Sequence, residues 1–405
     1  MHRLEEKNVV KRSRGSGEHF VPLHTTDLVE YLTQHPALTG NEGRFRLLAS
    51  LILSLLHHLY RQRHEQLTYV YAPLDPDRDC LLMNTPTDDY RDRLCEELLE
   101  RTRDTLRRAN YRRLSPQEIQ TALRAASQWG VRMRVNFSAL RRLEVYTRGD
   151  VKGNRTFRSW RKFFRIQTVA VPLHQRLVVV FRFANTTPQF DCRHVYLRMF
   201  KNVPQQDIDM MLPATGIQMT WLDHSKIVVP SLYAAAITLW RFLRNVVLLT
   251  LFGVFKTIGL VILVLFAIGF GIKSMFTYRT NTKRRYMLNM AQSLYYQNLD
   301  NNAGVLLRLL EEGEQQEACE AVLAYFVLAV ELSEQGPQSL QAIDAACERI
   351  LFDATGLHVD FDIDSTLRTL IHLGIVRVDE AGWRGLALQE ATTVLDKTWD
   401  SWFND

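Results

Sequence analysis

Residues 228–276 form one strongly apolar block, and no other feature of the 405-residue chain constrains its architecture as much. Positions 246–255 are ten apolar or near-neutral residues and 258–272 are fifteen, separated only by Lys256 and Thr257. Upstream, 227–243 is apolar apart from Arg241. A membrane-spanning helix needs about 20 such residues. The 49-residue block therefore has room for two passes joined by a turn near 253–259, or for one pass after an interfacial helix carrying Arg241 and Arg244. A buried core helix is the plainer alternative, opposed by the apolar character of 258–272 on every face. Arg241 and Arg244 cost about 2.5–3.5 kcal/mol each at a bilayer centre unless they snorkel or face another helix.

Charge sets the side. Lys273, Arg279, Lys283, Arg284 and Arg285 follow the block at once, which places that end in the cytoplasm. The first residues, Met1 to Lys7, have no apolar core of a signal peptide, so the preceding domain is expected on the same side. An even number of passes, a transmembrane hairpin, follows. Residues 1–285 carry 44 Lys and Arg against 24 Asp and Glu, and residues 286–405 carry 6 against 20. A basic part, an apolar block and an acidic tail is the pattern. With 46% hydrophobic and 23% charged residues, the chain is neither disordered nor a collagen nor a disulfide scaffold. Its five cysteines form no CxxC pair, so no zinc knuckle or redox pair is expected, and they read as reduced thiols.

The expected fold is an α+β membrane protein in five parts. Residues 1–20 are a flexible arm, 21–130 a helical subdomain and 131–226 an antiparallel β-sheet subdomain. Residues 227–276 are the transmembrane hairpin, and 277–405 an acidic helical domain with a winged-helix-like end. Phe45, Leu48, Ile52, Leu55, Leu56 and Leu59 recur at steps of three and four, which predicts a helix over 41–63. Leu94, Leu98 and Leu106 predict another over 87–109. Ser115, Pro116 and Glu118 form a capping box with proline at the first helical position. After Gly130 the period becomes two, and 131–135, 169–171, 177–183 and 195–200 read as strands. In the tail, Asp362 caps a helix that Gly374 ends, and 375–378, a turn and 383–388 form a hairpin.

Arg155, Arg158, Trp160, Arg161, Lys162, Phe163 and Phe164 combine cations with rings. That composition suits anionic lipid headgroups, or single-stranded nucleic acid, or a loop with solvated charges and core aromatics. Beside a membrane segment, anionic lipid is the expected partner, and nucleic acid is not. Glu311, Glu312, Glu314, Glu317 and Glu320 are dense, but a helical di-metal site needs Glu-x-x-His pairs. A solvated acidic face is expected, with no metal and no cofactor. Asp75, Asp77 and Asp79 open like a calcium loop, but Cys80 replaces the required glycine and Pro86 the closing glutamate.

Tyr196 to Pro204, Met210 to Pro213, Lys273 and Ser274, Tyr278 and Arg279, Ser293 to Val305, and Ala324 with Tyr325 resemble a transmembrane protein 143-like family of bacterial and organellar membrane proteins. The resemblance covers about residues 18–400 and implies a membrane segment of two helices, with no activity, substrate or cofactor to carry over. The absence of a transit-like start implies a bacterial inner membrane, with both termini cytoplasmic. The expected function is a non-enzymatic, membrane-anchored scaffold or adaptor, with a protein partner on the acidic tail. One alternative is a membrane-bound enzyme for a lipidic or phosphate-bearing substrate, built on Tyr295, Tyr296, Asn298, Asp300, Asn301 and Asn302. The other is an oligomeric transporter or channel lined by Arg241, Arg244 and Lys256.

Overall fold

The computed structural model describes residues 11–12, 19–79, 86–126, 132–158, 166–188, 190–218 and 295–402, with isolated positions between 240 and 291. They form two compact units. One comprises Met1–Ser115, Ser138–Gln205 and Leu299–Asp405, the other Pro116–Phe137 and Gln206–Asn298.

The first unit begins with strand β1 (Lys11–Arg12) and helices α1 (Thr25–Thr33), α2 (Glu42–Tyr71) and α3 (Asp88–Arg108). α2 outruns its expected end because the buried stripe continues past the polar 61–66 segment through Leu67, Val70 and Tyr71. α3 buries Leu94, Leu98 and Leu106 as its period requires. A short strand β2 (Arg112–Arg113) leads out of this helical region.

In the second unit, α4 (Pro116–Ala126) starts at its N1 proline. Strand β3 (Arg132–Val135) pairs antiparallel with a later strand at residues 215–218.

Back in the first unit, β4 (Leu140–Arg158) and β5 (Ile166–Phe183) form a long antiparallel hairpin, and β6 (Tyr196–Pro204) adds to it. Separate short strands were expected over 169–171 and 177–183. One continuous strand carries both, because Pro172, His174 and Arg176 stay in register opposite Lys152, Asp150 and Arg148. The basic stretch from 141 to 158 is thereby strand rather than loop. The second unit closes with the one-turn helix α5 (Ile208–Met211) and β7 (Thr215–Gln218), the partner of β3. Asp209 is buried there, and burial beside Asp207 pushes its carboxyl up to about 6.

Strand β8 (Asn298–Asn301) ends the main sheet, ordered β1-β4-β5-β6-β8 with β2 against β4. Helix α6 (Ala303–Phe326) follows and continues as a π turn at Val327–Glu331. α7 (Leu340–Thr355) and α8 (Ile363–His372) come next, then the hairpin of β9 (Val376–Asp379) and β10 (Gly382–Gly385), and α9 (Leu388–Ser401). Gln338 bridges Trp383 antiparallel, giving the hairpin a third rung.

Two apolar clusters fill this unit. One joins Leu28, Phe45 and Ile52 to Tyr325, Phe326, Leu351, Leu367 and Leu395, so residues near the start and end of the chain share one core. The other packs α2, α3 and the start of α6 on the sheet through Leu67, Leu98, Val178, Leu197, Met199 and Leu309.

The membrane assignment is corrected. Among the described residues no helix is long and apolar enough to cross a membrane. The two longest helices among the described residues, α2 and α6, carry charges along their length, Arg44, Arg61 and Glu65 in one and Arg308, Glu311 and Glu317 in the other, which a span of about 20 apolar residues does not tolerate. The hairpin at 227–276, with Arg241, Arg244 and Lys256, lies outside the described residues except for isolated positions. The membrane fold class and the multi-pass inner-membrane location are therefore not sustained.

Candidate functional site

A cleft of ≈ 600 Å³ opens where the end of α2, the 187–198 segment and the start of α6 meet. Its walls are tied together by hydrogen bonds. The Val195 amide donates to the Leu74 carbonyl (3.0 Å) and the Tyr71 hydroxyl donates to the Val195 carbonyl (3.1 Å), fixing the turn after α2 to the start of β6. His194 Nδ1 lies 3.3 Å from the same Leu74 carbonyl. A carbonyl only accepts, so Nδ1 carries the proton.

Asn302 closes the other side. Its backbone takes φ of 50° and ψ of −121°, a positive-φ conformation that favours glycine and that the surrounding hydrogen bonds hold in place. In that pose its amide donates to the Leu197 carbonyl (2.8 Å) and its side-chain Oδ1 accepts from the Leu197 amide (3.2 Å). One residue thus mimics a strand partner for β6 on both sides. Asn302 Nδ2 donates to Asp77 Oδ2 at 2.5 Å, and the Asp77 backbone amide donates to Asp75 Oδ1 (3.0 Å).

The alternation of β6 decides which side chains reach the cleft floor. Leu197 and Met199 belong to the helix-side core. Tyr196 and Arg198 point the other way, toward an aromatic group in which Phe181 stacks on Tyr196 (5.4 Å between centroids) and Phe183 on Phe190 (4.7 Å). Arg198 lies over the Phe181 ring at 5.7 Å. Burial lowers its pKa, with no neighbouring charge opposing that. Asp191 is pinned by Arg193, whose guanidinium holds its carboxyl far below the usual range despite partial burial.

A second polar system runs along α6 and overturns the expected solvated acidic face. Glu317 is buried, and accepts from the hydroxyls of Tyr60 (2.8 Å) and Thr369 (2.6 Å), from Arg108 (3.3 Å) and from Arg63 (3.4 Å). Glu312 accepts from Tyr111 (2.6 Å) and lies 3.0 Å from Arg148 and 3.3 Å from Arg176. Glu314 meets His57 at 2.9 Å. Glu320 is buried among Gln316, Asn110 and Thr366 with no cation. Helical periodicity located these acids on one helix; arginines of α2, α3 and the sheet match Glu312 and Glu317, whereas Glu320 is covered without a cation and Glu311 stays exposed.

The other expected site residues separate. Asn301 and Asn302 line the cleft. Asp300 instead accepts from Arg308 Nε at 2.7 Å. Asn298 opens β8, half-buried. Tyr295 and Tyr296 are exposed, their rings edge to face at 5.3 Å. Arg155 and Arg158 fall in β4 opposite Val169 and Ile166, while Trp160, Arg161, Lys162, Phe163 and Phe164 lie outside the described residues. Sequence reasoning missed Asp77, His194 and Arg198. Asp77 lies in a stretch that fails the calcium-loop pattern at Cys80 and Pro86, and an isolated histidine and arginine at a strand start carry no spacing signal. Among the described residues no group of three or more His, Cys, Asp or Glu side chains is placed to hold a metal ion. Cys95, Cys192, Cys319 and Cys347 are free thiols.

No solved structure matches the chain. Residues 174–304, which include the cleft's β6 and Asn301–Asn302 walls, match the family model described as "Protein of unknown function (DUF3754)".

Proposed function

We infer that the chain is a non-enzymatic adaptor that presents its C-terminal helix-and-wing end to a protein partner. The observation that carries this is the surface of α8 and β9, where Ile371 and Val378 are 41% and 55% exposed. Large apolar side chains on adjoining elements favour a protein contact. Around them Asp364, Arg368, Arg377 and Asp379 mix both signs on exposed positions. A nucleic-acid surface would need clustered cations. The helix beneath is held firmly: Thr369 and Thr366 of α8 hydrogen-bond to Glu317 and Glu320 of α6. A rigid display lowers the entropic cost of binding.

The finer likeness, to a transmembrane protein 143-like family, is part of this proposal. It rests on Tyr196 to Pro204 and on Ser293 to Gly304, both within the matched 174–304 span.

A photo-crosslinking amino acid at position 378 tests the adaptor reading, with position 69 on α2, where Tyr69 is 74% exposed, as control. Discrete adducts in cells from 378, absent from 69 and lost in Ile371→Asp, are expected. Identical adducts from both positions, or none from 378, would overturn it.

A further inference from the structure

The cleft between the α2 turn, β6 and Asn302 presents two unspent charges of opposite sign that do not meet. The Arg198 side chain is half-buried and has no ion-pair or hydrogen-bond partner among the described residues; its guanidinium lies over the Phe181 ring. Asp77 engages Asn302 through Oδ2, which leaves Oδ1 without a partner among the described residues. Both side chains line the cleft, yet no ion pair joins them. Arg198 is the partly desolvated member of the two, and a partly buried charge without a partner is costly, whereas Asp77 is exposed.

The remaining charges there are already committed. Asp191 Oδ2 accepts from Arg193 Nε and Nη2 at 3.0 and 2.7 Å, and its Oδ1 accepts from the Arg193 amide at 3.0 Å. His194 spends Nδ1 on Leu74, and its Nε2 sits 4.0 Å from Asp191. The lining is mostly polar, with the rings of Phe190 and Tyr196 as its aromatic part. Asn302 and the Leu74 hydrogen bonds hold the walls, so the spacing of Arg198 and Asp77 is fixed before any ligand arrives. The ≈ 600 Å³ volume lies in the range of small-molecule sites.

We propose that this cleft binds a small zwitterion, its phosphate, sulfonate or carboxylate on the Arg198 guanidinium and its ammonium on the open oxygen of Asp77. A planar guanidinium takes such oxyanions through paired N–H donors, and the carboxylate accepts from the ammonium. A ligand with one charged end satisfies half of the site. The proposal is independent of the adaptor reading, because the cleft and the helix-and-wing surface share no residue.

Isothermal titration of the full chain with O-phosphoethanolamine, taurine and β-alanine tests it, with methyl phosphate and ethanolamine as single-ended controls. At least one zwitterion is expected to bind about tenfold more tightly than either control. Arg198→Met is expected to weaken that binding about ten- to a hundred-fold, Arg198→Lys to retain part of it, and Asp77→Asn to reduce the zwitterion to the level of methyl phosphate. Co-sedimentation with phosphatidylethanolamine vesicles separates the two sources of this chemistry. Retention that Arg198→Met abolishes places the zwitterion on a lipid headgroup, and binding of the free compounds alone makes it a soluble molecule. No binding by any of the three zwitterions, or affinity unchanged in a folded Arg198→Met, overturns the proposal.

Discussion

Glu320 is the residue whose environment departs furthest from its sequence context. Burial in α6 pushes its carboxyl up to about 8, against the opposing hydrogen bonds of Gln316 (2.6 Å) and Asn110 (2.9 Å). Thr366 Oγ1 lies 3.3 Å from the second oxygen and donates to the Asp362 carbonyl at 2.9 Å. A hydroxyl with its hydrogen spent on a carbonyl can accept from the protonated acid, so the neutral form completes the network. The linkage follows from the raised value. Below about pH 4.5 both folded and unfolded chains hold this proton. Between there and pH 8 only the folded chain holds it, so its contribution to stability falls as pH rises and levels off above pH 8. Glu320→Gln removes the titration. Urea unfolding at pH 5 and pH 8 is expected to show the variant gaining about 2–4 kcal/mol on the wild type between the two pH values. Parallel stabilities would mean that Glu320 is ionised in the folded chain.

The wing depends on one backbone position. Gly382 has φ of 132°, and a Cβ there would come within 2.6 Å of the Gln338 carbonyl oxygen. That carbonyl accepts from the Trp383 amide at 2.9 Å, and the Gln338 amide donates to the Trp383 carbonyl at 2.8 Å. The close approach lets residue 338 act as a third strand beside β10. Gly382→Ala combines a disfavoured φ with a backbone clash, and is expected to cost about 2 kcal/mol. Amide hydrogen exchange at Trp383 should speed up with it. Unchanged exchange and stability would show that the hairpin does not need this contact. The same element illustrates what patterning reveals: Gly374, Gly382 and the apolar spacing of Leu367 and Leu370 made a helix followed by a hairpin readable, whereas the bridge to Gln338 spans 45 positions of chain and leaves no local trace.

At the scale of the molecule, Glu317 ties α2, α3, α6 and α8 together through Tyr60, Arg63, Arg108 and Thr369. Burial works to raise its pKa, but the Thr369 hydrogen bond and the charges of Arg108 and Arg63 outweigh it and hold the carboxyl below its ordinary value. Its stabilisation is therefore present above about pH 4.5 and is lost as pH falls through the depressed value. Glu317→Ala leaves Arg63 without its carboxylate and Arg108 with Asp104 alone, and is expected to cost about 2–3 kcal/mol in urea unfolding at pH 7. The Glu317→Met, Arg108→Met pair should cost less than the single alanine, because an apolar pair leaves less charge unmatched. A cost below about 1 kcal/mol for Glu317→Ala would remove the residue from this role. The sequence by itself determined the helices whose apolar stripes repeat at three and four, the two-residue period of β5 and β6, and the separation of a basic part from an acidic one. Each of these is written in local spacing or in counts of charge. It did not determine that the two charge populations meet. Basic residues of α2, α3 and the sheet fold onto α6, and of the acids expected on a solvated face Glu317 and Glu320 become buried while Glu311 stays exposed. Nor did it determine the cleft, since Asp77, Arg198 and Asn302 are brought together from positions more than a hundred residues apart, by a strand register and one positive-φ asparagine. Local pattern fixes which face of an element is apolar, whereas the partner that covers it is chosen by long-range packing and charge.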